Sequence, residues 1–210
     1  MRKVGIMGGT FDPIHIGHLI LGENAYLQLG LDKVVFMPSG NPPHKLNREG
    51  RASDMQRMDM VKLAIATNTH FEISDIEMNE EGYSYTFRTL ERLNAEHPDT
   101  RYYFIIGADS LFDFDKWMNP QRICNACTLV VATRNHTSNS QLDAAIMHVR
   151  TKYQADVVKL DTENIDCSSH QIRSWVAQGH TVKYYVPDTV INYMNIYGVY
   201  SGGKDGQGRP

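Results

Sequence analysis

The stretch "KVGIMGGTFDPIHIGHLILGENAYLQLG" (residues 3–30) carries the strongest structural signal in the chain. Its first seven residues are a short apolar run ending in two glycines, which fits a buried strand running into a tight turn. From Ile16 onward, apolar residues recur at helical spacing until Gly30, a residue type that commonly closes helices. Strand, glycine turn and helix in that order open a βα unit.

The pattern then repeats. "KVVFMPSG" (33–40) predicts a second strand ended by proline and glycine, followed by the loop "NPPHKLNREGR" (41–51) and a helix from about Ser53 through "DMQRMDMVKLAIAT". "FEIS" (71–74) predicts a third strand, "YTFRTLERLNAEH" (85–97) a helix stopped by Pro98, and "RYYFIIG" (101–107) a fourth strand. "TLVVAT" (128–133) and "DVVKL" (156–160) supply a fifth and a sixth. Short buried strands separated by helices, with few hairpin signals, indicate a doubly wound, Rossmann-like α/β fold: a parallel sheet with helices on both faces. In such sheets ligands lie beyond the carboxyl ends of the strands, where strand order reverses. The turn after the first strand and "GADS" (107–110) both fall there. "SSHQIRSWVAQG" (168–179) and "VPDTVINYMNIYG" (186–198) predict two further helices, each closed by glycine. Residues 1–200 are expected to form a single domain, and 201–210, which have no apolar anchor, a disordered tail.

With 210 residues and a net charge of −3, the chain has no global basic field to hold a nucleic-acid polymer. A small polyanion met by a local site is compatible. "MRKVGIMGGT" reaches glycine too soon for a secretory signal, and no window approaches a membrane-spanning length, so a cytoplasmic setting is expected. Cys124, Cys127 and Cys167 make no even-numbered framework. The Cys124/Cys127 pair precedes a strand instead of opening a helix after one, and a zinc site would need further ligands, so buried thiols are expected.

The opening turn suits phosphate. Gly8 and Gly9 let an anion approach the backbone and Thr10 adds a hydroxyl donor. A helix starting near His15 would turn its N–H groups toward the same anion, with His15 and His18 on one face and Gly17 keeping that face open. Each imidazole can donate to phosphate oxygens as charge builds during displacement at phosphorus. The bland alternative is a helix-starting turn with two surface histidines. A zinc reading would need a third ligand such as His44, beside which Lys45 is a poor neighbour for a cation. The turn lacks G-x-G-x-x-G, which weakens a nicotinamide oxidoreductase.

Further along, "CSSHQIRS" (167–174) offers two hydroxyls and an arginine at a helix start, fitting either a polyphosphate or an ordinary serine cap. "NPPHK" carries His44 and Lys45, near a phosphate or on a plain surface turn. Asp109 could accept from ribose hydroxyls or cap a helix, and Trp117 could offer a flat face to a pyridine ring or pack in the core.

The ordered set "GGTFDPIHIGHL", "NPPHK", "YSYTFRTL", "GADSLFDFDKW" and "CSSHQIRS" resembles the bacterial nicotinate-nucleotide adenylyltransferase family of the H-x-G-H nucleotidyltransferase superfamily. The first signature marks the superfamily, the later ones this member. The resemblance implies transfer of the adenylyl group of ATP to nicotinate mononucleotide, with Mg²⁺ bound mainly through the ATP phosphates. It implies catalytic roles for His15, His18 and Arg173, and an ATP site of Gly8, Gly9, Thr10, Gly17, Gly107, Asp109, Ser168 and Ser169 with those three. Nicotinate mononucleotide would meet Asn41, His44, Lys45, Tyr85, Thr86, Trp117 and Arg134. The chain has His170 where the family commonly has threonine, and "TRNH" (133–136) where it has arginine-proline-glycine. Homo-oligomerisation is left open. The rival readings are a related transferase acting on nicotinamide mononucleotide or phosphopantetheine, and a nucleotide sensor without turnover.

Overall fold

A computed structural model describes residues 1–40, 50–78, 83–132, 139–162 and 166–202. Among these, six strands form one sheet: β1 Arg2–Gly9, β2 Lys33–Pro38, β3 Phe71–Ile73, β4 Thr100–Gly107, β5 Thr128–Ala132 and β6 Val157–Leu160. Their order is β3-β2-β1-β4-β5-β6 and every neighbouring pair is parallel. All six strands expected from the sequence are present.

Side chains alternate between two cores. In β2, Val34 and Phe36 enter one apolar cluster while Val35 and Met37 enter the other; in β4, Tyr103 and Ile105 oppose Tyr102, Phe104 and Ile106. A strand buried on both faces cannot alternate with polar residues, which is why these segments read as continuous apolar runs.

The helices are α1 Ile16–Leu29, α2 Asp54–Ile65, α3 Thr86–Glu96, α4 Ala108–Phe112, α5 Pro120–Ala126, α6 Asn139–Tyr153, α7 Ser169–Ala177 and α8 Asp188–Tyr197. Helices α1, α2, α7 and α8 supply the first cluster, and α3 to α6 the second. The expected boundaries have visible causes. Gly30 ends α1 in the left-handed region at φ 57°, and Ser53 caps α2 in a reciprocal box with Gln56. Pattern alone leaves α4, α5, α6 and a 3-10 turn at Phe114–Lys116 unassigned. Helix α5, at seven residues, is too short to show a period. Helix α6 does carry one, since Leu142, Ile146, Val149 and Tyr153 are all buried at helical spacing. At the other end of the chain, Ser201 still belongs to a turn, its hydroxyl donating to the Gly198 carbonyl at 2.7 Å, and 203–210 lie outside the described residues.

This order places β1 beside β4, so the crevice at the reversal of strand order is flanked by Gly9 and Gly107. Among the described residues no helix is long and apolar enough to cross a membrane, and no group of three or more His, Cys, Asp or Glu could hold a metal ion. The three cysteines form no disulfide; burial pushes the Cys124 thiol up to about 11 and the Cys127 thiol higher still, as expected of packed, unreactive thiols.

Helix α1 approaches the sheet through Gly22, where an added Cβ would lie 3.1 Å from Cζ of both Phe36 and Phe71. Alanine normally gains about 1 kcal/mol over glycine inside a helix. Here both rings are held in the core, and overpacking costs roughly 1–3 kcal/mol. Gly22→Ala is therefore expected to lower the urea midpoint despite its better helix propensity; a raised midpoint would show that the rings can yield.

Candidate active site

The segment Thr10–His15 joins β1 to α1 and is mostly buried. Phe11 sits in the left-handed region at φ 48°, a conformation costing about 1–3 kcal/mol in a bulky residue unless its surroundings impose it. Its ring does the imposing. It packs on Phe36 and on the edge of His18, and lies 3.0 Å from where a Cβ at Gly9 would stand. Likewise the Phe104 ring would be 3.3 Å from a Cβ at Gly8. Aromatic packing thus crowds both positions, which favours glycine there independently of any anion.

His15 caps α1 through extended backbone and His18 occupies the first turn. The His15 N–H donates to Nδ1 of His18 at 3.2 Å. A ring nitrogen that accepts carries no proton, so the neutral His18 ring holds its hydrogen on Nε2 and can donate from there. The two imidazoles stack with centroids 3.7 Å apart. They are not equivalent, because His15 is 4% exposed whereas His18 is half-buried. Gly17 makes room for the pair: a Cβ there would meet the His15 Nδ1 at 3.1 Å. One expectation needs correcting. The first N–H of α1, that of Ile16, does not turn toward an anion but donates to the Tyr185 carbonyl at 2.9 Å.

Buried backbone needs partners, and this segment draws them from distant side chains. Arg57 of α2, 3% exposed, donates to the carbonyls of Thr10 (2.6 Å) and Ser39 (2.7 Å) and to Asp54 Oδ1 (2.9 Å). Asp12, 2% exposed, accepts at Oδ1 from the Tyr200 hydroxyl (2.6 Å) and the Ala52 N–H (3.1 Å). From α7, Arg173 Nη1 donates to the Asp12 carbonyl at 2.6 Å and lies 3.5 Å from its Oδ2, while Ser169 Oγ donates to the Pro13 carbonyl at 2.9 Å. Ser168 caps α7, its hydroxyl accepting from Gln171 N at 3.2 Å. The starts of α1 and α7 thus converge on one loop. Beside it opens a groove of about 620 Å³ whose lining includes Arg51, His170, Arg173 and Tyr200.

Across the crevice, Gly107 ends β4, and a Cβ there would meet nothing within 4 Å. Gly107, not Asp109, is the cap of α4, and Asp109 is exposed in its first turn. Trp117 is half-buried, with one side on Phe114 and Phe104 at centroid distances of 5.6 and 6.2 Å. Tyr85 caps α3, Thr86 begins it, and Tyr85 and Trp117 pack against the same core cluster. Asn41, His44, Lys45 and Arg134 lie outside the described residues.

Asp12, Arg57 and Tyr200 were not singled out by sequence. Asp12 was inside the quoted motif, whereas Arg57, in "DMQRMDM", is indistinguishable by pattern from a surface arginine.

Residues 6–174 match the cytidylyltransferase-like family. Probable nicotinate-nucleotide adenylyltransferases of Lachnoclostridium phytofermentans and Clostridium novyi are 41% and 40% identical to it over 200 residues, covering 95% and 94% of this chain and all of each relative. The chain belongs to the nicotinate-nucleotide adenylyltransferase family. As a member it is a nucleotidyltransferase with the Rossmann-like sheet of that group. Its fold is similar to Plasmodium falciparum nicotinic acid mononucleotide adenylyltransferase complexed with NaAD, with a TM-score of 0.78 at 18% identity over 98% of this chain and 100% of that one. The same Plasmodium enzyme complexed with APC gives a TM-score of 0.76 at 17% identity, with the same coverage.

Within this frame, Arg57→Leu would keep much of the buried volume but leave the Thr10 and Ser39 carbonyls without their donor. Each unsatisfied buried acceptor costs roughly 1–3 kcal/mol. The urea midpoint should fall accordingly; an unchanged midpoint would mean that other donors replace the guanidinium.

Proposed function

We propose that this chain transfers the adenylyl group of ATP to nicotinate mononucleotide, forming nicotinate adenine dinucleotide and pyrophosphate. The observation that carries this reading is the convergence of His18, held with its Nε2–H as donor, with Arg173 and Ser169 of α7 on the single loop 10–15. The family relationship supports the choice of acceptor.

The mononucleotide phosphate attacks the α-phosphorus in line. Its oxygen is already anionic at neutral pH, so no general base is needed; alignment and charge neutralisation do the work. His18 donates to α- and β-phosphate oxygens. His15, buried beneath it, contributes to the same phosphates chiefly by holding that ring in place. Gly8 and Gly9 at the end of β1, Thr10 after them and Gly17 in α1 are assigned to the triphosphate, and Gly107 and Asp109 at the start of α4 to the ribose. Arg173, with the N-terminus of α7 at Ser168 and Ser169, receives the departing pyrophosphate through guanidinium N–H groups beyond the one bonded to Asp12.

On the acceptor side, the exposed part of Trp117 stacks on the pyridine ring. The first amides of α3 at Tyr85 and Thr86 receive the ring carboxylate, as a helix N-terminus favours an anion. Asn41, His44, Lys45 and Arg134 complete the proposed acceptor site. Mg²⁺, when bound, would be held by the ATP phosphates and water and would supply charge neutralisation there.

The test offers purified protein ATP with nicotinate mononucleotide, nicotinamide mononucleotide or phosphopantetheine and measures pyrophosphate release. Preference for the acid mononucleotide is expected, because donors left unpaired by the amide penalise it. Preference for either other acceptor would overturn the reading. His18→Ala should cost about 3 kcal/mol at the transition state, roughly a hundredfold in turnover of the folded protein, with a lowered urea midpoint as well, because the His15 N–H loses its acceptor and two rings lose a neighbour. Turnover near that of the parent would remove His18 from the chemistry.

A further inference from the structure

The tyrosine at the end of the described chain does not behave as a surface residue. Tyr200 follows the left-handed Gly198 that closes α8 and the buried Val199, and is itself in the left-handed region at φ 68°. Tyr184 adopts the same backbone at φ 70° while 82% exposed, so it is its contacts that set Tyr200 apart. Its side chain packs against the first core cluster and its hydroxyl donates to Asp12 Oδ1 at 2.6 Å. Phe11, next to Asp12, shares this unusual backbone.

Asp12 in turn bears on Arg173. Its carbonyl accepts from Nη1 at 2.6 Å, and its Oδ2 stands 3.5 Å from the same nitrogen. Arg51 Nε lies 4.0 Å from that oxygen. A long arginine has many rotamers, and a buried anion beside it selects among them. Burial, then the charge of Asp12 and the hydrogen bond to it, hold the Tyr200 hydroxyl far above its ordinary value, so it remains a donor at any working pH.

We propose that Asp12 and Tyr200 are positioning residues for the pyrophosphate end of the site: the Tyr200 hydroxyl holds the buried Asp12 carboxylate, and Asp12 sets the place of the Arg173 guanidinium. This rests on the reading that Arg173 meets the leaving pyrophosphate. It adds that the C-terminal turn is part of the apparatus that grips ATP, although it contributes no atom to the reacting bond.

The decisive variant is Tyr200→Phe in the full chain, which removes one hydroxyl and keeps the ring. Calorimetry with ATP and with pyrophosphate, each with Mg²⁺, should show affinity weakened by about tenfold, the scale of one hydrogen bond to a charged group. In steady-state assays the loss should fall on kcat/KM for ATP, while KM for nicotinate mononucleotide stays within about twofold. Combined with Arg173→Lys, Tyr200→Phe should add almost nothing, since the two act through one chain of contacts. Asp12→Asn keeps an acceptor for Tyr200 and Ala52 but removes the charge beside Arg173, and should reproduce the same split. Unaltered ATP and pyrophosphate affinity in Tyr200→Phe would overturn the proposal, as would equal losses toward both substrates or full additivity with Arg173→Lys. If the parent forms no dinucleotide from nicotinate mononucleotide, the acceptor assignment fails, and the calorimetric comparison still decides the role of Tyr200.

Discussion

A buried loop has to find hydrogen-bond partners for backbone groups that no helix or strand provides, and segment 10–15 meets that demand with charged side chains. Arg57 satisfies two carbonyls from one side; Asp12 collects the Ala52 amide and the Tyr200 hydroxyl from the other. Removing either charge would leave the rest buried and uncompensated, the situation in which such groups matter most. The histidine pair, the glycines around it and the start of α7 are all located relative to this loop. Its geometry precedes any ligand.

The sheet was legible because its physics is local and repetitive. A strand buried on both faces must be apolar throughout, and "KVVFMP" and "RYYFIIG" are. Caps were legible for the same reason: Gly30 and the Ser53–Gln56 pair act within one turn. Helix α5 was not, since seven residues give no period. Helix α6 carries a legible stripe, with Leu142, Ile146, Val149 and Tyr153 buried at helical spacing. The candidate site divides similarly. His15, His18 and Gly17 lie together in sequence and in space. Arg57 reaches Thr10 across 47 residues and Tyr200 reaches Asp12 across 188, distances over which pattern carries no information.

The arrangement also reconciles a weakly acidic chain with a polyanionic substrate. At net charge −3 the molecule offers no long-range attraction to phosphate. Three arginines nevertheless meet at loop 10–15: Arg51 and Arg173 approach Asp12, and the buried Arg57 holds the Thr10 carbonyl. A local cluster of this kind suits a compact anion better than an extended polymer, whose binding needs many spread contacts. The amide of Ile16, spent on the Tyr185 carbonyl, shows that the helix start serves packing first.

Closing α8 with a left-handed glycine has an outcome for the order of assembly. In chain order β2 to β6 all precede the hydroxyl that holds Asp12, which lies 188 residues further along. A nascent chain can thus gather its sheet before loop 10–15 has its partner at Tyr200.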